Sequence, residues 1–233
     1  MSSDLINSED PEDWIQSQKS DQFESFVEDE VVGSHCSSCQ FTPDPVVKIG
    51  SLEADLMVVG EFPTGADFQN DRPFSGDLGT LLQRMMEAID RDLREDCYLT
   101  NAVLCGGHDE DVRQRSVEAC SVNLHRQVEL VSPSVVFILG RLGYCSLYKE
   151  SVEGDPTEVL GHQGPLPEFP WVEGVVSLNP IHLLNCESGS DQEQKLKSLL
   201  WDHLRTVDGH LEETSAHDET EEGQVPDSEQ PDE

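Results

Sequence analysis

Basic residues are what this chain has least of. Fourteen Lys and Arg stand against forty-eight Asp and Glu, for a formal net charge of −34 over 233 residues. A protein that reads nucleic acid normally carries a basic footprint, so charge alone argues against that class. At about 1 M salt, however, the Debye length falls to roughly 3 Å, and counterion release drives little binding. A nucleic-acid enzyme in such salt would lean on base contacts. Only five of the bases are Lys, and the acidic bias extends into the middle of the chain. We read this as adaptation to a very salty cytoplasm; the alternative is an ordinary protein with an acidic interaction surface.

Long apolar runs are also missing. None approaches the roughly 18 residues that span a bilayer, so a membrane protein is not expected. Met1-Ser2-Ser3-Asp4 is acidic where a signal peptide is basic and then apolar, which predicts a cytoplasmic protein. Neither a GxGxxG fingerprint nor a Gly-Lys-Ser/Thr phosphate loop occurs. Seven cysteines, an odd number, do not suit a disulfide framework in that compartment. Metal or cluster ligation is the better default.

Acid is concentrated at the ends. Residues 1–32 carry ten acidic residues and one Lys, and residues 208–233 carry eleven and no base. Segments so charged and so poor in apolar residues are expected to be disordered. That leaves 33–207 as one domain.

Four short apolar runs lie within it: Ala54–Glu61, Asp96–Leu104, Pro133–Gly140 and Gly174–Pro180. Their apolarity is continuous, not alternating, which suits strands buried on both faces of a parallel sheet. Helical spacing follows over Gly79–Leu93 and Ser116–Val131. Ser190-Asp191-Gln192-Glu193 has the form of a capping box opening a last helix with Leu196, Leu199, Leu200 and Leu204. The Gly/Pro-rich stretch from Gly161 to Pro170 reads as a loop. Strands alternating with helices predict a three-layer α/β/α sandwich with a central, mainly parallel sheet of about four strands. Ligands in such sheets sit beyond the carboxyl ends of the strands. Those ends read Gly60-Glu61, Thr100-Asn101, Leu139-Gly140 and Leu178-Asn179-Pro180.

The first of these ends opens a turn, GEFPTGADFQNDRPFSGDLGTLL, with carboxylates at Glu61 and Asp67 and an aromatic at Phe74. By composition it is either a small-molecule or base pocket or a structural turn. Cys36-Ser37-Ser38-Cys39 and the later Cys105 and Cys120 suit either an iron–sulfur cluster or a four-thiolate zinc site. Cys97, Cys145 and Cys186 lie in or beside apolar runs and read as buried, inert thiols.

The turn resembles the first motif of the iron–sulfur uracil-DNA glycosylases, the fourth family of that superfamily: Gly-Glu-x-Pro-Gly, an acidic cluster, then Gly-Arg-Pro-Phe-x-Gly-x-x-Gly-x-Leu-Leu. YLTNAVLC over Tyr98–Cys105, SPSVVFILG, and NPIHLL near residue 180 resemble its later motifs in the same order. The similarity runs from about Cys36 to Leu204. It implies a monomeric DNA base-excision repair enzyme, of haloarchaeal type given the charge, that hydrolyses the N-glycosidic bond of uracil in DNA. It also implies a [4Fe–4S] cluster on Cys36, Cys39, Cys105 and Cys120, with structural zinc as the alternative.

Carried over by position, Phe74 stacks on uracil beside Gly60, and Asn101 bonds the edge of the base. Glu61 positions or activates water, with Asp67 as a second acidic group. Asn179 takes the place of the family's catalytic His, and His182 lies three residues on. Three departures stand out: Asn179 for that His, Asn185 for an Arg, and the acidic Gly106–Asp111 stretch for an Arg-Pro-Pro-rich loop. They motivate a second reading, a catalytically weak or inactive DNA-binding or interaction module of the same descent. Replication or repair proteins held by the acidic tails are the expected protein partners.

Overall fold

Four parallel strands pair side by side in a computed structural model that describes residues 11–35, 45–47, 49–106, 110–150, 152 and 155–222. In chain order the elements are α1 (Pro11–Ser25), a π-helical segment (Phe26–His35), β1 (Ile49–Gly50), β2 (Leu56–Gly60), α2 (Gly65–Asn70) and α3 (Gly76–Glu87). Then come β3 (Cys97–Asn101), α4 (Glu110–Val131), β4 (Val135–Leu139), α5 (Arg141–Tyr148) and a 3-10 turn (Pro156–Val159). The chain continues through β5 (Gln163–Leu166), β6 (Phe169–Ser177), α6 (Ile181–Leu184) and α7 (Asp191–Glu222). The sheet order is β1-β3-β2-β4-β6-β5. The inner pairings β3-β2, β2-β4 and β4-β6 are parallel, and the two edge strands are antiparallel.

Continuous apolarity has the predicted cause. Every residue of β2, β3 and β4 is buried. Successive side chains point to opposite faces, so Met57, Val59, Val136, Ile138 and Val176 enter one core, and Leu56, Val58, Phe137, Leu139 and Val175 the other. The π-helical segment, α4 and α5 cover the first face through Phe26, Leu124, Val128, Leu142 and Leu147. The second is covered by α3 and α7 through Leu82, Met86, Leu204 and Val207. The result is the three-layer sandwich, with two antiparallel edges added to the four strands foreseen.

One edge corrects the loop expected at Gly161–Pro170. Gln163–Leu166 pairs antiparallel with β6, with an irregularity between Pro165 and Leu166. Pro lacks the N–H for a ladder bond, so within a sheet it is confined to edge strands, strand starts and bulges. The Gly and Pro content that signals a loop is compatible with an edge hairpin.

The acidic ends also differ from expectation. Residues 11–25 form α1, and Phe23, Phe26 and Val31 are buried. Phe23 meets Phe26 and Tyr98 edge-on, with ring centroids 5.7 and 6.3 Å apart. Lys19, the one base of the leader, donates to Glu53 at 2.7 Å. Burying a large apolar side chain stabilises by about 1.5–3 kcal/mol, enough for a few anchors to order a segment whose mean composition is polar. At the other end α7 continues past residue 208 because Leu204, Val207 and Leu211 keep its apolar stripe at spacings of three and four. Its start is capped nearly as expected: Glu193 N–H donates to Ser190 Oγ at 3.1 Å, while Glu193 Oε2 accepts from Gly189 N–H at 2.6 Å, one residue earlier than a capping box requires. No helix among the described residues is long and apolar enough to cross a membrane.

Candidate active site

The chain leaves β2 toward β3 on one side, then crosses back to place β4 on the other. A crevice therefore opens beyond the carboxyl ends of β2 and β4, where ligands of doubly wound sheets sit. A cavity of about 220 Å³ occupies this place. Gly60, Glu61, Asp67, Phe74, Asn101, Asn179 and His182 all line it, together with Arg141 and Leu142. The seven residues singled out around the strand ends thus converge on one cavity.

Phe74 forms its wall under constraint. The residue is 3 % exposed and has φ of +52°, in the left-handed region that disfavours a bulky side chain. Asp67 holds it there. One carboxylate oxygen accepts from Ser75 N–H at 2.6 Å; the other accepts from Thr64 N–H at 2.6 Å and Thr64 Oγ1 at 2.9 Å. Gly79 completes the clamp, since a Cβ there would collide with the Phe74 carbonyl. Gly60 lets the base of the cavity close up: a Cβ would lie 2.8 Å from Phe74 Cζ and collide with Asn101 Oδ1. With both oxygens engaged and 2 % exposure, Asp67 is built as a tie for the loop.

Asn101 is 3 % exposed, and its Nδ2 has no hydrogen-bond partner among the described residues. A buried, unpaired donor costs about 1–3 kcal/mol, so a donor kept so in a cavity wall is poised for a ligand acceptor.

Glu61 lies over the end of β4, where Gly140, at φ +106°, has no Cβ to obstruct it. Its Oε1 accepts from Leu142 N–H at 3.4 Å, at the start of α5, and its Oε2 accepts from Asn179 Nδ2 at 3.2 Å. Both are long, which leaves lone pairs for a further donor such as water. Asn179 is itself oriented: its Oδ1 accepts from Ile181 N–H at 3.1 Å. The amide therefore turns its donor to Glu61. His182 is exposed at the mouth. Arg141 was not singled out from sequence; its signal was its place one residue beyond the strand end Leu139-Gly140.

The cysteines divide. Cys105 and Cys120 are each 5 % exposed, the first just beyond β3 and the second within α4. Cys36 and Cys39 lie outside the described residues. On the chain side nearer Cys39, Val46 N–H donates to Leu104 O at 2.9 Å, next to Cys105. Among the described residues no three ligating side chains come together; the chemistry of the donor set, four cysteines, fits a four-thiolate site. Cys97 is fully buried, and burial pushes its thiol up to about 12. Cys145 and Cys186 are only half-buried, against the expectation of buried thiols.

The model of the Uracil DNA glycosylase superfamily matches residues 47–205 of this chain. Type-4 uracil-DNA glycosylase of Sulfurisphaera tokodaii is 32 % identical over 122 residues, covering 52 % of this chain and 56 % of that protein. The protein of the same name from Saccharolobus solfataricus is 33 % identical over 116 residues, covering 49 % and 54 %. That of Archaeoglobus fulgidus is 36 % identical over 94 residues, covering 40 % and 47 %. The chain spans about half the length of these curated relatives.

Proposed function

From the premise that the chain belongs to the uracil-DNA glycosylase superfamily, we propose that it excises uracil from DNA by hydrolysing the N-glycosidic bond. The observation that carries this reading is the cavity in which an aromatic wall, an unpaired buried amide donor and a loosely held carboxylate meet. Each has a task in the reaction. A flipped base is stacked on a ring and read on its edge; Phe74 is the ring, and Asn101 Nδ2 donates to a carbonyl of the base. Cleavage develops an oxocarbenium-like sugar and an anionic base. Glu61 stabilises the former and orients the attacking water, taking up its proton as the C–O bond forms. Asn179 and the Leu142 N–H hold Glu61 in place. Asp67 supports Phe74 and touches no reacting atom.

Cys36, Cys39, Cys105 and Cys120 would hold a [4Fe–4S] cluster, or zinc in its stead. When bound, the group would supply a covalent staple between the part of the chain that carries Cys36 and Cys39 and the chain beyond β3. Work in a salty cytoplasm and a preference for uracil-containing DNA as partner belong to the same reading.

Uracil release from a labelled single-uracil oligonucleotide in about 1 M KCl, the salt that screens this charge, is the test. Wild-type protein produces alkali-sensitive sites, whereas Glu61→Gln and Phe74→Ala lose at least about a hundredfold in rate, the usual scale for removing a group that acts in the transition state. Full activity in both variants would overturn the site. The engagement of Asn179 with Glu61, where the family has His, favours one second reading: a module that binds uracil-containing DNA and releases no base.

A further inference from the structure

A second concavity adjoins the cavity across α6. Ile181 and His182 face the cavity, and Leu183 lines an apolar groove of about 220 Å³ between α3 and α7. Leu81, Met85, Ala88, Leu200 and Trp201 make most of its surface, and Trp201 keeps 42 % exposure beside the buried Leu200 and Leu204. The polar residues of the groove are Arg84 and Lys197. Arg84 makes no ion pair among the described residues, and Lys197, itself exposed, meets the half-buried Glu193 four residues back at 2.6 Å.

The charge pattern is the informative part. Four other concavities of the described residues each carry carboxylates: Asp90 and Asp96; Glu61 and Asp67; Glu118 and Glu150; Glu129 and Glu168. This groove carries none, in a chain with more than three acids for each base. An exposed aromatic face flanked by cations matches single-stranded nucleic acid, where bases stack on rings and cations follow the backbone. Helix α6, which lies between the two concavities, is a single turn of four residues.

We propose that the groove is a stacking subsite for a nucleobase next to the target base on the same strand, with Trp201 as the platform and Arg84 and Lys197 facing its phosphates. The assignment rests on the reading of the neighbouring cavity as the uracil site. It gives a chain with little net attraction to DNA a local contact that depends on bases and not on long-range charge.

The test is fluorescence anisotropy with the full-length protein in about 1 M KCl. The probe is a single-stranded oligonucleotide whose one uracil sits on a 2′-fluorinated sugar that resists cleavage, with its neighbours either ordinary nucleotides or abasic tetrahydrofuran units. Wild-type protein binds the first probe more tightly. Trp201→Ala weakens that binding by roughly tenfold, within the range known for base–aromatic stacking, and leaves the abasic-flanked probe unaffected. Trp201→Phe restores most of the difference, which a merely structural role for Trp201 would not produce. Unchanged preference in Trp201→Ala overturns the subsite. So does unchanged DNA affinity with loss of self-association in sedimentation, which assigns the groove to a second copy. A protein that shows the preference yet releases no uracil from ordinary deoxyuridine keeps the subsite and loses the proposed activity. Normal excision with no neighbour preference does the reverse, and absence of any DNA binding removes both.

Discussion

Phe74 shows how a single residue is held against its own preference. A left-handed backbone costs an L-residue about 1–2 kcal/mol, and Asp67 offsets that cost by accepting three hydrogen bonds from the loop. Asp67→Asn removes the charge and turns an acceptor into a donor facing N–H groups. We expect a loss of about 1–3 kcal/mol in chemical denaturation, with turnover falling as Phe74 leaves its position. His203 carries a different constraint. It is buried, its Nδ1 lies 2.9 Å from Ser177 Oγ, and burial lowers its pKa from the ordinary value near 6.5, only partly opposed by Asp202. The folded protein therefore resists a proton that the unfolded chain accepts. Stability from this residue is complete above about pH 6.5 and is lost as the pH falls below it. Melting temperatures between pH 7.5 and 5.5 should fall less in His203→Gln than in wild type. An equal fall in both would remove His203 from the account. At this scale the sequence showed the residue types of the cavity. The contact between Glu61 and Asn179, 118 residues apart, was beyond it, because strand order is set by packing and no local pattern encodes it.

Elements were legible wherever burial was two-sided. The runs over β2, β3, β4 and the end of β6 read as strands because both faces are buried and mostly apolar, with polar residues only toward the ends of β3 and β6. Two kinds of element escaped. β5 is an edge, so it tolerates the Gly and Pro that elsewhere end a strand. α1 and the π-helical segment are anchored by Phe23, Phe26 and Val31, three side chains that an average over a strongly acidic leader conceals. Phe26→Ala gives the sharper check of that segment. Loss of a fully buried aromatic costs about 3–5 kcal/mol, whereas a leader that does not pack would register no change in the denaturation midpoint.

For the whole molecule, net charge sets the conditions under which any of this can be measured. At −34 the folded chain repels itself in dilute buffer, and screening relieves the repulsion on the scale of a few ångströms near 1 M salt. The melting temperature should rise steeply from about 0.1 to 2 M KCl, and by less in a variant with several surface carboxylates replaced by amides. A flat salt profile in wild type would favour the ordinary acidic protein over the salt-adapted one. Charge was legible from composition, but its distribution was not. Only the folded chain reveals a groove with cations and no acid.

The crossover of the sheet bears on how the protein is made. The cavity takes one wall from each of four strand ends, and the last of them, Asn179, leaves the ribosome long after Glu61. A nascent or prematurely terminated chain that stops before β6 possesses the ring, the amide and the carboxylate without Asn179, one of the two groups that orient the carboxylate. If the cavity is the site of the proposed excision, such half-made copies lack its fourth wall and should release no uracil.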